Sequence, residues 1–181
     1  MKELEIFKYG IRFQSWGELY AGCKASWITA QDIISYCEFN RTTMADDYSF
    51  ISLYLAIEES YYQFLELLKI LLENTEGVVI KKNEDEVSDC YFDYIQSKYF
   101  KIWELEFLIE IINSTVSVDD KLNEVALLFD QMNYPEEWKN FLYYQPQDNG
   151  KYYDNLSLYQ NMIDYVEKQK KNYISQTNNN E

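Results

Sequence analysis

The chain has 181 residues, with no histidine, 31 Asp and Glu against 16 Lys and Arg, 18 tyrosines and a formal charge of −15. Without histidine no side chain titrates near neutrality at its ordinary pKa, and the Ser-His-Asp, Cys-His and histidine-ligated zinc templates fall away. A field of this sign repels phosphate backbones and anionic membranes and attracts basic proteins, so function is expected in protein recognition, with no nucleic acid or membrane as direct ligand.

Apolar residues make up 47% of the chain, enough for one core in a chain of this size, and the expectation is a single domain over residues 1–174 with a disordered tail at 175–181. Five glycines and two prolines are too few for a many-stranded barrel or sandwich. The expected fold class is therefore all-α: a compact domain of about seven helices, two of them long. Cys23, Cys37 and Cys90 are widely spaced, which suggests free thiols in a reducing cytoplasm rather than a disulfide framework or zinc knuckle. The charged N-terminus does not fit a signal peptide, and no uncharged run reaches membrane-spanning length.

Residues 1–14 fit either a short strand or a turn of helix around Gly10. Ser15-Trp-Gly-Glu18 is a capping box, and opens a short helix to about Lys24 that buries Trp16, Leu19, Tyr20 and Cys23. Thr29-Ala-Gln-Asp32 repeats the device, with Asp32 less able to reach back than a glutamate, and Ile33, Ile34, Tyr36 and Cys37 form its inner face. Trp27 is expected to wedge between these two helices. A long helix should run from Asp46 or Asp47 to about Glu73, with Phe50, Leu53, Leu55, Ile57, Tyr61, Phe64, Leu65, Leu68, Leu71 and Leu72 on its apolar face. Gly77 ends it, and Val78-Val79-Ile80 fits a strand or a loop.

The second long helix is expected from between Glu84 and Ser88 to about Asn113, carrying Val87, Phe92, Ile95, Tyr99, Ile102, Trp103, Leu108 and Ile109 inward. Asp85, Asp89 and Asp93 stand four apart with Glu86 beside them, a ridge that either complements the helix dipole or faces a partner. Ser117-Val-Asp-Asp120 caps a further helix, and Pro135 takes the first position of another that buries Trp138, Phe141 and Leu142. The last helix, from Asn155 to Lys171, places Leu156, Tyr159, Met162, Ile163 and Val166 at helical spacing.

No chemistry-bearing motif emerges. Glycines at 10, 17, 22, 77 and 150 cannot form a phosphate cradle, and Glu106, Glu110, Glu58 and Glu59 read as solvated helix faces rather than a metal centre. Neither a cofactor nor an enzymatic activity is expected. The adjacent pairs Tyr61-Tyr62, Tyr143-Tyr144 and Tyr152-Tyr153 have a different meaning: on a helix, neighbours point about 100° apart, so one ring of each pair lies toward the surface. Exposed tyrosines beside carboxylates suit protein interfaces, although codon bias also raises tyrosine content.

The stretch Phe129-Asp-Gln-Met-Asn-Tyr134-Pro135-Glu136-Glu137-Trp-Lys-Asn-Phe141-Leu-Tyr-Tyr144-Gln-Pro146, together with Trp16-Gly-Glu-Leu-Tyr-Ala-Gly22 and Trp27 to Tyr36, resembles an uncharacterised bacterial family. That family is catalogued as domain of unknown function twenty-two forty-seven. The chain departs from its pattern at Gln131, where an acidic residue stands in the family, and at Tyr143, where a basic one does. The resemblance implies a small cytoplasmic protein encoded near polymorphic toxins, hence an immunity role, and brings no catalytic residues with it. The expected function is neutralisation of a basic toxin domain by contact through Asp85, Glu86, Asp89 and Asp93, with Tyr61 or Tyr62 as anchors; the alternative is a scaffold or homo-oligomer.

Overall fold

The computed structural model describes residues 3–40, 47–77, 98–144 and 153–178. Among them are eight α-helices, one 3-10 helix and no strand, so the fold is all-α as expected. None of the described helices is long and apolar enough to cross a membrane. The chain forms two compact units, Met1–Glu3 with Phe13–Trp103, and Leu4–Arg12 with Glu104–Glu181.

In the first unit, Ser15 caps α2 (Trp16–Lys24): its hydroxyl accepts from Glu18 N, while Glu18 Oε2 accepts from Ser15 N at 3.3 Å and from Gln14 N at 2.6 Å. Thr29 caps α3 (Ala30–Phe39), and Asp32 does reach back, accepting from Thr29 N at 3.1 Å. The expected long helix is broken into α4 (Asp47–Glu59) and α5 (Tyr61–Glu76). Ser60, at φ −168° and ψ 157°, is extended and caps α5 by accepting from Gln63 N, so Ser-Tyr-Tyr-Gln is a helix start inside an unbroken apolar pattern. Gly77, left-handed at φ 66°, ends α5.

Helix α2 packs on α5, and α4 packs on both α3 and α5. Leu19, Cys23, Ile33, Leu53, Phe64, Leu68 and Leu72 are wholly buried, as is Trp103, whose indole N–H donates to the Glu18 carbonyl at 2.8 Å. Trp27 packs on Phe100 and Trp103, with ring centroids 4.8 and 5.5 Å away, and its backbone N–H donates to the Gly22 carbonyl of α2 at 2.9 Å. Cys23 and Cys37 are free, and burial pushes their thiols up to about 11 and about 12, which leaves them unreactive. Val78 to Ile80, Val87, Cys90, Phe92 and Ile95 lie outside the described residues.

The second unit joins α1 (Glu5–Lys8), α6 (Lys101–Asn113) from Glu104 onward, α7 (Val118–Gln131), the 3-10 helix Glu136–Phe141 and α8 (Asn155–Asn178). The N-terminal segment is thus a helical turn, not a strand. It has no side-chain cap of its own; the fully buried Glu106 accepts Glu5 N with one carboxylate oxygen and Ile6 N with the other, both at 2.9 Å. This overturns the reading of Glu106 as part of a solvated face. Pro135 precedes a 3-10 helix rather than opening an α-helix, and Trp138 N donates to its carbonyl at 3.0 Å. Helix α8 packs on α7 and on the 3-10 helix, burying Leu158, Met162 and Val166, whereas Leu156, expected inside, is largely exposed. With no Gly or Pro after Gly150, α8 continues through Asn178, past the expected helix end at Lys171.

Candidate protein-binding surfaces

Helix α4 is apolar on both sides. Leu53 is buried, while Ile51, Tyr54 and Leu55, at i, i+3 and i+4, are 56%, 48% and 56% exposed, with Glu58 continuing that stripe at i+7. A helix that is hydrophobic all round is normally enclosed all round. Leu55, expected in the core, faces outward, because two residues on from the buried Leu53 it lies about 200° round the helix.

On α5, Tyr62 is 79% exposed and sits edge-on to Tyr61, with centroids 6.0 Å apart. The Tyr61 hydroxyl donates to the Cys23 carbonyl at 2.8 Å, which ties that ring to α2 and leaves Tyr62 as the better anchor. In sequence, α4 and α5 carry Asp47, Glu58, Glu59, Glu66, Glu73 and Glu76 against Lys69 alone.

In the second unit the family-like motif folds into an aromatic cluster. Phe129 is buried, Tyr134 and Tyr144 each stand edge-on to it at 5.2 and 6.4 Å, and Trp138 stacks behind it at 6.5 Å. Pro135 is buried, while Glu136 is exposed and paired with Lys139 at 2.6 Å. Of the other motif residues, Trp16 is buried in α2 and Gly22 lies against the Trp103 indole. Pro146, Tyr152 and the ridge of Asp85, Glu86, Asp89 and Asp93 lie outside the described residues.

A polar cleft of about 490 Å³ in the first unit, lined by Ser15, Trp16, Glu18, Glu76, Lys98 and Tyr99, is the best place to look for chemistry. Glu76 Oε2 accepts from the Lys98 ammonium and the Tyr99 hydroxyl, both at 2.6 Å. That contact holds the Lys98 ammonium well above its ordinary range, and burial, then Glu76, pushes the Tyr99 hydroxyl up to about 12. Burial, only partly opposed by the Gln14 and Ser15 N–H groups and reinforced by Glu76, raises Glu18 to about 7. Both carboxylates thus already have structural work, Glu18 capping α2 and Glu76 holding Lys98 and Tyr99. Among the described residues, no group of three or more Asp, Glu or Cys is arranged to hold a metal.

Glu18 gives a test of this electrostatic picture. Between its ordinary value of 4.5 and about 7 the folded state binds more protons than the unfolded chain, so this residue makes stability fall as pH rises through that window. Both backbone N–H groups use one oxygen of Glu18, which a glutamine can supply uncharged. Glu18→Gln is expected to stabilise the protein by roughly 1–3 kcal/mol at pH 8 and to flatten the slope between pH 4.5 and 7. Urea unfolding across that range checks it, and an unchanged slope would contradict the raised pKa.

The described residues thus define an all-helical protein with outward-facing aromatic and aliphatic residues and carboxylates that serve structure. A family model described as an uncharacterised protein conserved in bacteria, DUF2247, matches residues 4–170, and the chain belongs to that family. No curated protein and no solved structure matches it.

Proposed function

We propose that this is a non-catalytic, acidic binding protein of the cytoplasm that neutralises a basic protein, in the manner of an immunity protein capping its cognate toxin. The observation that carries the reading is the outward face of α4, where Ile51, Tyr54 and Leu55 stand exposed opposite the buried Leu53. Tyr62 and the acidic balance of α4 and α5 add an aromatic anchor and a field that speeds encounter with a positive partner.

The test is calorimetry with the product of the neighbouring reading frame, over a series of salt concentrations. Binding should weaken with salt, and Leu55→Glu and Tyr62→Ala should each cost about 2 kcal/mol or more, because central truncations dominate interface energies. No binding by the neighbour's product defeats the immunity reading; binding indifferent to both substitutions defeats the α4 contact. If light scattering finds a stable dimer that Leu55→Glu dissolves, the face belongs to a second copy and the protein is a scaffold.

A further inference from the structure

The turn after α7 is held in a costly conformation. Asn133 and Tyr134 are both left-handed, at φ 57° each. Asparagine tolerates that region, but a bulky tyrosine does so only at a price in strain, and glycine would reverse the chain more cheaply. The backbone is locked there: Tyr134 N donates to the Phe129 carbonyl at 2.9 Å, and Asn133 N to the Asp130 carbonyl at 3.1 Å. The effect is to place the Tyr134 ring perpendicular to Phe129, at an interplanar angle of 88°, with its hydroxyl donating to Asp130 Oδ1.

Two more phenols extend this aromatic cluster. Tyr144 stands edge-on to the same Phe129, and Tyr143 stands perpendicular to Tyr144, at 90° with centroids 5.4 Å apart. Burial, Tyr143 and then the Asp130 charge push the Tyr144 hydroxyl up, which places Tyr144 within the field of that carboxylate. All three rings are open to solvent: Tyr134 is 58% exposed, Tyr143 48% and Tyr144 44%. Asp130 is exposed and has no Lys or Arg partner among the described residues.

Exposed tyrosine rings set edge-on around Phe129, one of them hydrogen-bonded to an exposed carboxylate, match one chemistry. A flat, weakly hydrated guanidinium stacks on a ring face while its N–H fork reaches the carboxylate; an ammonium is a hydrated point charge that uses the rings less well. We propose that Tyr134, Tyr143, Tyr144 and Asp130 form a receiving site for an arginine side chain presented by a protein partner. The site lies in the second unit and does not rest on the α4 contact, so either can fail alone.

The experiment is a titration of the tyrosine-labelled protein, followed by ring resonances in NMR, with a blocked Gly-Arg-Gly tripeptide, its lysine counterpart and tetramethylammonium as probes. The arginine tripeptide should shift Tyr134, Tyr143 and Tyr144 saturably and bind more tightly than the other two. Asp130→Asn and Tyr134→Gly should each weaken it by roughly 2- to 30-fold, while Leu55→Glu leaves it unchanged. Glycine relaxes the strained φ, so Tyr134→Gly should keep a cooperative melt; if it does not, Tyr134→Phe replaces it as the variant that drops the hydroxyl bond to Asp130. Rings that do not respond to the arginine tripeptide overturn the site. Equal binding by lysine or tetramethylammonium overturns the guanidinium assignment, and undiminished affinity in Asp130→Asn together with the Tyr134 variant overturns the residues named.

Discussion

Gly22→Ala is expected to destabilise the first unit by about 3 kcal/mol or more. A β-carbon at Gly22 would overlap the benzo ring of Trp103, which is fully buried and cannot step aside. The indole is also pinned at its other end, where its N–H donates to the Glu18 carbonyl, and residues 18 and 22 lie one turn apart on the same face of α2. Moving the ring to admit a methyl therefore breaks a buried hydrogen bond as well as packing. Gly10 is the control: it is left-handed at φ 77° with open space around it, so alanine there costs only backbone strain, about 1 kcal/mol. Urea denaturation followed by tryptophan fluorescence compares the two, and a Gly22→Ala loss no greater than that of Gly10→Ala would refute the packing.

Glu106→Ala should cost about 3 kcal/mol or more, because it strips the acceptor from two backbone N–H groups at the start of α1 and leaves a hole in the second unit. The glutamine variant separates charge from geometry. Each carboxylate oxygen of Glu106 takes one N–H, so an amide satisfies one and turns its own NH₂ toward the other. Glu106→Gln is thus expected to lose about 1–3 kcal/mol, the opposite sign to Glu18→Gln, where one oxygen serves both donors. Hydrogen exchange at Ile6 should accelerate in both Glu106 variants; protection that survives would mean that the turn is held by something else.

Much of the fold was legible because local chemistry decides it. The serine and threonine caps at 15, 29 and 117 form as read, and Ile33, Phe64, Trp103, Val125 and Met162 are all buried. The break at Ser60 was hidden because apolar residues continue across it; only the hydroxyl followed by Gln63 marks the start. The role of Glu106 was beyond any local reading, since its partners are about a hundred residues away. The aromatic motif was visible as a run of residues, but its geometry was not, because two successive left-handed residues have no glycine to announce them.

The bond from Glu106 to the first helical turn also sets an order of events at the ribosome. The first unit is drawn almost wholly from one continuous stretch, Phe13–Trp103, and can close while translation is still under way. The second closes later: the Glu5 and Ile6 amides stay hydrated until the Glu106 carboxylate, about a hundred residues on, arrives to receive them. Its assembly therefore follows that of the first unit, because Glu104–Glu181 is made after Phe13–Trp103.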